Sequence, residues 1–391
     1  MFGLPCPGRV ESMIVPPRKT EAGSAIRRLE APPFVRFSCE SLEVLFDCGD
    51  PVRAGDVLAR SPRGARLQRR VHSPLAGTVR IEAGRRLIVE GEWPSSSGTE
   101  HHDDAGQWEA DAIVGRAREA GLLGMGGGMF PTYLKLSYGK PMDTVIINGC
   151  EGEPYLCGDH RVLVEHRQEV ECGMRLAMRA TGATNGHVVG HESNYVAGYE
   201  RFLVKTTLGR SVPNGCFPVD VGVMVINAQT ARALHQAVCG GRPLTERVIT
   251  VAGKAVERPG NYLVPLGTTV GHILKACEYD ASRTKRLVAG GPMMGREVDL
   301  DSAVQAGTGG VLALGRKEAA KSAESACIRC GRCMDACPID LPVTELIEHP
   351  ASEAVLRCIE CGICQFVCPA HLRLVARLRE AKTDYRLRQC Q

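Results

Sequence analysis

The spacing of apolar and polar positions changes several times along the chain, and each change predicts a boundary between structural units. Short apolar runs broken by Gly and Pro come first, helical spacing around one continuous apolar strand follows, and closely spaced cysteines dominate the end. The pattern therefore predicts a multidomain α/β protein. The predicted units are an N-terminal arm at 1–32, a region of short β-strands at 33–92, an α/β domain at 107–246, a strand–turn–strand–helix module at 247–300 and a cysteine-rich domain at 318–391.

Three stretches carry the clearest periodicity. Residues 111–120 have apolar side chains at helical spacing. The apolar run 145–147 follows Thr144 and predicts a buried parallel strand that ends at Asn148. A further helix is predicted to start after Thr268 as its N-cap, because an apolar stripe of the i, i+3, i+4, i+7 type follows it. The stripe consists of Val270, Ile273, Leu274 and Cys277.

Charge and composition argue against several classes of function. The net charge is only +4 and no run of five basic residues occurs, so the sequence gives no support for nucleic-acid binding. No apolar stretch reaches the length of a membrane span, and the N-terminus lacks the pattern of a signal peptide. The sequence therefore predicts a cytoplasmic protein with no direct membrane span.

Eight of the 18 cysteines form two copies of the spacing C-x2-C-x2-C-x3-C-P. This spacing is typical of bacterial ferredoxins that carry two [4Fe–4S] clusters, in which the fourth cysteine of each motif ligates the other cluster. Zinc and disulfides are the alternative interpretations, but neither requires so regular a spacing. The predicted ligand sets are Cys327, Cys330, Cys333 and Cys368 for one cluster, and Cys358, Cys361, Cys364 and Cys337 for the other.

A glycine-rich loop lies upstream, between the helix predicted at 111–120 and the buried strand. Gly124, Gly126 and Gly127 precede a second short helical stretch. Bare backbone amides that lead into a helix N-terminus form a cradle for phosphate. The loop does not match G-x-G-x-x-G, so the sequence does not predict an ordinary dinucleotide-binding fold.

Polar residues follow the end of the buried strand. Asn148, Glu151 and Glu153 lie where open α/β sheets bind nucleotides, at the carboxyl end of a strand. The amide of Asn148 can bond the edge of a flavin, and the two carboxylates can accept hydrogen bonds from ribose or carboxamide groups. Ordinary turn and capping chemistry is the alternative role for the two acids.

Together, G-x-G-G-x-x-F-P-T-x-x-K and N-x-x-E-x-E-P resemble the FMN- and NADH-binding flavoprotein subunit of complex I. They resemble still more closely the C subunit of Rnf-type electron-transport complexes and the cobalamin reductase of propanediol utilisation. The resemblance implies that FMN is bound by Gly124, Gly126, Gly127, Lys135 and Asn148, and that Phe130 and Glu153 face a nicotinamide dinucleotide. Met129 stands where the family has glycine.

The resemblance continues beyond the buried strand. The segment 195–200 is similar to the family's Y-P-x-G-x-E flavin loop, which implies that Gly198 and Glu200 also belong to the cofactor site. Asn227 corresponds to the second residue of a flavin-binding Asn pair. A rival interpretation makes 192–203 a helix and the flavin loop deleted.

The other units are similar to known modules. Residues 33–92 resemble the barrel-sandwich hybrid of lipoyl carriers, 107–246 a Rossmann-like FMN-binding domain of the complex I flavoprotein type, and 247–300 a β-grasp (SLBB) module. An α-helical two-cluster ferredoxin domain follows at 318–391. The resemblance implies an oxidoreductase with FMN, two [4Fe–4S] clusters and NADH as substrate.

Such a protein is expected to pass electrons from NADH or another small-molecule donor to partner redox subunits of an electron-transport complex, some of them membrane-embedded. It would then lie peripherally on the cytoplasmic face of the inner membrane. The alternatives are an electron-relay or adaptor protein with a vestigial nicotinamide site, favoured by Met129, Tyr199 and Ile226, and a cobalamin reductase.

Overall fold

The computed structural model describes residues 24–82, 86–94, 105–190, 195–213, 215–316, 318, 324–349 and 352–389. Two small antiparallel sheets form the first unit, with strand orders β2-β8-β7-β4 and β3-β5-β6 around one apolar core. Gly77 and Gly91 pair across β7 and β8, where a Cβ on Gly77 would lie only 1.9 Å from the Glu90 carbonyl oxygen. The strands of this unit are β2 (Phe34–Ser38), β3 (Glu43–Val44), β4 (Pro51–Val52), β5 (Val57–Arg60), β6 (Arg70–His72), β7 (Ala76–Glu82) and β8 (Arg86–Glu92); β1 (Ile26–Arg28) precedes them in the chain and belongs to the third unit.

A parallel three-stranded sheet of order β10-β9-β11 is the centre of the second unit, with helices packed on it. The register aligns Asn148, Val189 and Asn227 at the carboxyl ends of the three strands. The elements are α1 (Ala110–Glu119), α2 (Thr132–Leu136), β9 (Thr144–Asn148), α3 (Gly158–Glu165), α4 (Arg167–Thr181), β10 (Asn185–Val189), α5 (Glu200–Leu208), β11 (Val223–Asn227) and α6 (Ala228–Gly240).

The segment around 195–200, predicted either as a flavin loop or as part of a helix, contains both a turn and the start of a helix. A single 3-10 turn spans Tyr195–Gly198, and helix α5 begins only at Glu200. The stretch 192–194 lies outside the described residues. The turn is therefore present just before the helix, and α5 starts later and ends later than the rival interpretation predicts.

A six-stranded sheet of order β1-β13-β12-β16-β14-β15 forms the third unit. Its elements are β12 (Glu246–Ala252), β13 (Gly260–Pro265), α7 (Val270–Ala276), β14 (Thr284–Ala289), β15 (Arg296–Glu297) and β16 (Gly310–Gly315). Two sequence-based boundaries are corrected here. Within the arm predicted at 1–32, β1 is an edge strand parallel to β13, and the sheet does not end at residue 300 because β16 lies between β12 and β14.

The cap of α7 is also displaced by one residue from the prediction. Thr269 is the N-cap, and its hydroxyl accepts from the His272 amide at 3.3 Å. The Thr268 hydroxyl instead donates to the Pro265 carbonyl at 2.8 Å, so it closes the preceding turn.

Short helices enclose the cysteines of the C-terminal unit: α8 (Arg332–Asp335), α9 (Val343–Glu348), α10 (Ile363–Phe366) and α11 (Leu374–Gln389). Val196 and Phe202 of the second unit are part of the same apolar cluster as the C-terminal cysteines. The parallel-sheet unit and the cysteine-rich unit are therefore packed directly together. Among the described residues, no helix has the length and apolarity needed to cross a membrane.

Candidate functional site

The glycine-rich loop closes on itself between α1 and α2. The Gly124 amide donates to the Phe130 carbonyl at 2.8 Å, and the Met129 amide donates to the Gly124 carbonyl at 3.1 Å. A Cβ added to Gly127 or Gly128 would meet no atom of the described residues within 4 Å, so among them the apex of the loop faces open space. The loop therefore presents bare backbone at its apex, as a phosphate cradle requires.

Buried polar groups hold the backbone of the glycine-rich loop at Met125. The Met125 amide donates to the Thr230 hydroxyl at 2.9 Å, and the Met125 carbonyl accepts from the Arg247 guanidinium at 3.3 Å. Arg247 also donates to the Ala306 carbonyl. Burial lowers the pKa of Arg247 to about 10, against the opposing effect of two nearby carboxylates. No local sequence pattern points to this role of Arg247, because Met125 and Ala306 lie far from it along the chain.

Met129 has a left-handed backbone with φ of 48°, a conformation that favours glycine. The glycine that the resemblance implies at this position would adopt this conformation without strain. A Cβ added to Gly307 would lie 2.9 Å from the Met129 Cγ, so the methionine side chain lies against the turn that contains Gly307. The neighbouring Phe130 is 52% exposed. Met129 is 37% exposed, so its side chain is not part of the buried core.

Asn148 and Asn227 lie side by side at the ends of β9 and β11. The Asn148 amide nitrogen donates to the Gly198 carbonyl at 2.8 Å, and its oxygen accepts from the Cys150 amide at 3.0 Å. The Asn227 oxygen caps α6 by accepting from the amides of the second and third residues of that helix. Gly126 of the loop packs on Asn227, where a Cβ would lie 3.4 Å from the Asn227 Cβ.

Asp159 belongs to this site although the sequence did not indicate it. Its carboxylate accepts from the Asn227 side-chain nitrogen at 2.5 Å and from the Gln229 side-chain nitrogen at 2.7 Å. Each asparagine nitrogen carries two N–H groups, and the described contacts use one of them on Asn148 and one on Asn227. Asp159 and Gln229 therefore orient the amide of Asn227.

Lys135 and Glu200, both predicted at the cofactor site, form an ion pair with an Nζ–Oε1 distance of 3.2 Å. Lys135 lies in the last turn of α2, and Glu200 is the first residue of α5. The structure thus brings these two residues together, and the lysine charge is partly offset by the carboxylate.

The described contacts of Glu151 are those of a helix cap, which is the alternative role given to this residue in the sequence analysis. Its carboxylate accepts from the Asp159 amide at 2.7 Å and from the His160 amide at 3.5 Å, at the start of α3. A carboxylate at a helix N-terminus satisfies amides that have no partner within the helix. Glu151 is only 7% exposed, so it supports the site from beneath.

Glu153 is held by a distant loop at 290–295. Its carboxylate accepts from the Met293 amide at 3.1 Å and from the Met294 amide at 2.8 Å. A Cβ on Gly291 would lie 2.3 Å from a Glu153 oxygen, so a side chain at this position would displace Glu153. The same loop reaches the cysteine-rich unit, since a Cβ on Gly362 would lie 3.3 Å from the Met293 carbonyl oxygen. A pair of methionines in a sequence suggests packing alone, but here their backbone amides bind a carboxylate.

The C-terminal cysteines line two separate cavities. The outer set is Cys327, Cys330, Cys333 and Cys368. The inner set is Cys337, Cys358, Cys361 and Cys364. Each cavity thus combines three cysteines of one motif with the fourth of the other, as the spacing predicts. Four thiols around one cavity suit a [4Fe–4S] cluster.

Backbone groups support both cavities in the same manner. The Arg329 amide donates to the Cys327 sulfur and the Glu360 amide to the Cys358 sulfur, each at 3.4 Å. Burial raises the pKa of Cys361 and of Cys364 to about 12. Because thiolates are the ligands of iron, bound iron must supply the charge that stabilises these buried sulfurs.

Known families match three parts of the chain. The family described as "Nuo51 FMN-binding domain" matches residues 117–194, "SLBB domain" matches 248–297 and "4Fe-4S dicluster domain" matches 320–369. The predicted fold class and the predicted cofactors, FMN and two [4Fe–4S] clusters, are thereby confirmed. Gly198, Glu200 and Asn227 lie beyond the FMN-domain match.

Curated relatives are similar over most of the chain. The C subunit of a proton-translocating ferredoxin:NAD(+) oxidoreductase complex from Clostridium ljungdahlii is 32% identical, over 75% of this chain and 72% of the relative. The corresponding protein of a Na(+)-translocating complex from Acetobacterium woodii is 33% identical, over 62% of this chain and 61% of its own. The C subunit of an ion-translocating oxidoreductase complex from Rhodobacter capsulatus is 34% identical, over 76% of this chain and 65% of the relative. The matches thus span roughly two thirds of these relatives' length.

Among solved structures, an NAD+-reducing [NiFe]-hydrogenase in the air-oxidised state is similar at 22% identity and a TM-score of 0.46. The similarity covers 73% of this chain and 54% of that one.

Proposed function

This chain belongs to the family of C subunits of ion-translocating oxidoreductase complexes, and from that premise we propose that it is a flavo-iron–sulfur electron-transfer protein. Electrons pass between a nicotinamide dinucleotide and partner redox subunits. When bound, FMN supplies the exchange between a two-electron donor and one-electron carriers. The residues of this chain bind that flavin, position the donor and ligate the clusters.

One observation carries the proposal: the loop at 290–295 contacts both ends of the electron path. It binds the Glu153 carboxylate on one side and packs against Gly362, between two cysteines of the inner set, on the other. The nucleotide site and the inner cavity are therefore neighbours. The order that this supports is flavin first, inner cluster next and outer cluster last.

For the flavin, we assign the phosphate to the loop apex at Gly124, Gly126 and Gly127, with Lys135 offsetting its charge. The remaining N–H groups of Asn148 and Asn227 are available to the flavin ring. Gly198 holds Asn148 in place through its carbonyl. Glu200 positions Lys135, and Glu151 supports the neighbouring helix start. Phe130 and Glu153 face the nicotinamide dinucleotide.

The test is reduction of the reconstituted protein by NADH under anaerobic conditions. We expect NADH to bleach the flavin absorbance and then the broader absorbance of the clusters. Glu153→Gln is the matched variant, because it keeps the shape of the side chain and removes the charge that two amides bind. Retention of FMN with loss of NADH reduction in that variant would support the assignment of Glu153.

A second function is favoured by two contacts. Met129 lies over the turn at Gly307, and both Glu153 oxygens already accept from backbone amides. In this alternative the chain is a relay whose nicotinamide site is closed. It predicts that dithionite reduces the wild-type flavin while NADH does not, and that Met129→Gly gains NADH reduction.

Partners and location belong to the same proposal. The relatives' names assign them to ion-translocating complexes, and we extend this to an assembly of the present chain with membrane-embedded redox subunits. Attachment is then peripheral, through those subunits, on the cytoplasmic face. Release of the chain from isolated membranes by high salt, without detergent, is the expected result. Release only by detergent would reject it.

A further inference from the structure

Three metal-binding side chains meet away from both cysteine motifs, between α4 and α6. Cys172 lies on α4, and His235 and Cys239 lie four residues apart on α6. One ligand atom from each of the three lies within 4.8 Å of the other two. Cys172 and His235 are buried, whereas Cys239 is half-buried. Residues at i and i+4 share one helix face, so the two α6 ligands point the same way.

The packing of the two helices holds this arrangement in place. A Cβ on Gly173 would lie 1.9 Å from the Ala231 carbonyl oxygen, so glycine is needed for α4 to approach α6 this closely. One turn away, the Glu169 carboxylate accepts from the Arg232 guanidinium at 3.1 Å and from the Gln236 amide at 3.0 Å. These contacts fix the register of the two helices and bring Cys172 opposite His235 and Cys239.

We propose that Cys172, His235 and Cys239 form a binding site for Zn²⁺. Two thiolates and one imidazole are a ligand set that zinc prefers. In a tetrahedral zinc site two thiolates lie about 3.8 Å apart, and a thiolate and an imidazole nitrogen about 3.5 Å apart, so the ligand atoms need to approach one another by no more than about 1.3 Å. Two thiolates, a neutral imidazole and Zn²⁺ have no net charge, which suits a buried position.

The site is separate from the proposed electron path in both ligands and chemistry. Zinc has no redox activity, so its role here is to cross-link α4 and α6. Those helices pack in the same apolar core as β9 and β11, whose ends carry Asn148 and Asn227. The half-buried Cys239 leaves a route by which the metal can reach the other two ligands.

The test is metal analysis of the protein purified with its clusters and then exposed to Zn²⁺ and gel-filtered. We expect about one zinc per chain in addition to about eight irons. The double variant Cys172→Ser/Cys239→Ser should lose that zinc and keep its iron. Cys216→Ser, a half-buried cysteine elsewhere in the same unit, is the control and should keep both metals.

Two further measurements keep the proposal testable if the double variant folds poorly. His235→Cys preserves three suitable ligands and should retain zinc, whereas His235→Leu should lose it. Replacement of zinc by Co²⁺ in the wild type should give a sulfur-to-cobalt charge-transfer band. The proposal is overturned if the wild type holds no zinc after gel filtration, if the double variant retains it, or if intact mass shows a disulfide between Cys172 and Cys239.

Discussion

The outer and inner cysteine sets share one sequence spacing but lie in different surroundings. Cys327 and Cys330 of the outer set are exposed, whereas Cys361 and Cys364 of the inner set are buried. The spacing of a motif thus determines which sulfurs converge, and the rest of the fold determines how much water surrounds them. Reduction potentials of such clusters depend on both exposure and nearby charge.

Charge differs between the two sets at equivalent positions. Arg329 and Glu360 each follow a ligand by two residues and have φ of 52° and 56°. The Glu360 carboxylate accepts from Arg379 at 2.7 Å and from Lys382 at 2.6 Å. The same motif position therefore carries a cation, Arg329, beside the outer set. Beside the inner set it carries an anion, Glu360, which is paired with two cations.

Contact with the remainder of the molecule also differs. Gly331 and Gly362 each follow the second cysteine of a motif and cap a short helix, both with left-handed φ. Gly362 contacts the loop at 290–295, whereas within the described part of the chain a Cβ on Gly331 would meet just the Asp335 carboxylate, at 3.9 Å. The inner set is therefore adjacent to the proposed nucleotide site, whereas the outer set lies away from it, where we propose that a partner redox protein docks.

Removing one ligand from each set gives the largest expected effect. Cys327→Ala and Cys358→Ala should each lower the iron content from about eight to about four per chain. With the outer ligand removed, NADH should still reduce the inner cluster. With the inner ligand removed, NADH should no longer reduce the outer cluster, although dithionite should. Iron analysis and paramagnetic resonance of each variant provide the measurement, and reduction of the outer cluster by NADH at the wild-type rate in Cys358→Ala would contradict the proposed order.

Exposure predicts that the two clusters are lost at different rates. Mild oxidation in the presence of a chelator should release iron in two phases, the faster one from the outer set, because water and oxidant reach Cys327 and Cys330 directly. The same time course in Cys327→Ala should contain only the slower phase. A single phase in the wild type would mean that exposure does not distinguish the sets.

Alanine substitution of the two glycines tests the contact with the loop. Gly331→Ala and Gly362→Ala should each cost about 1–2 kcal/mol of stability, because alanine disfavours left-handed backbone. Gly362→Ala should in addition displace the Met293 carbonyl, and with it the amides that bind Glu153. We therefore expect a raised KM for NADH in Gly362→Ala alone. Equal KM values in the two variants, both with full iron, would argue against the contact.

The smallest expected effect concerns the two charged positions. Glu360→Gln should raise the potential of the inner cluster, because an electron is added more easily where a negative charge has been removed. Arg329→Gln should lower the potential of the outer cluster for the opposite reason. Redox titration should show shifts on the order of tens of millivolts that shrink at high salt. Shifts of the same sign in both variants would count against the electrostatic explanation.

Local signals made part of this molecule predictable. The strand at Thr144–Asn148 has the predicted bounds, because a continuous run of buried apolar residues is a signal that lies within the strand itself. Each cysteine motif is also local, and the crossing of its fourth cysteine follows from the ferredoxin pattern. These features need no knowledge of distant residues.

Contacts between distant segments could not be predicted in this way. Glu153 stands out in the sequence, but its partners at Met293 and Met294 have no local relation to it. Arg247 looks like an ordinary strand residue in the sequence, although it is buried under the glycine-rich loop. Glu151 illustrates the converse, because its position suggests a ligand contact and its described hydrogen bonds are those of a helix cap.

Strand β1 has a consequence for the order in which the molecule assembles. Ile26 pairs with Asn261, and its amide also donates to the Glu165 carboxylate at 3.1 Å, so this strand joins the third unit to helix α3. During synthesis β1 leaves the ribosome long before β13 exists. Its pairing has high contact order and is expected to form late. Until then, the charged side chains of Arg27 and Arg28 on this unpaired edge strand discourage pairing with other nascent chains.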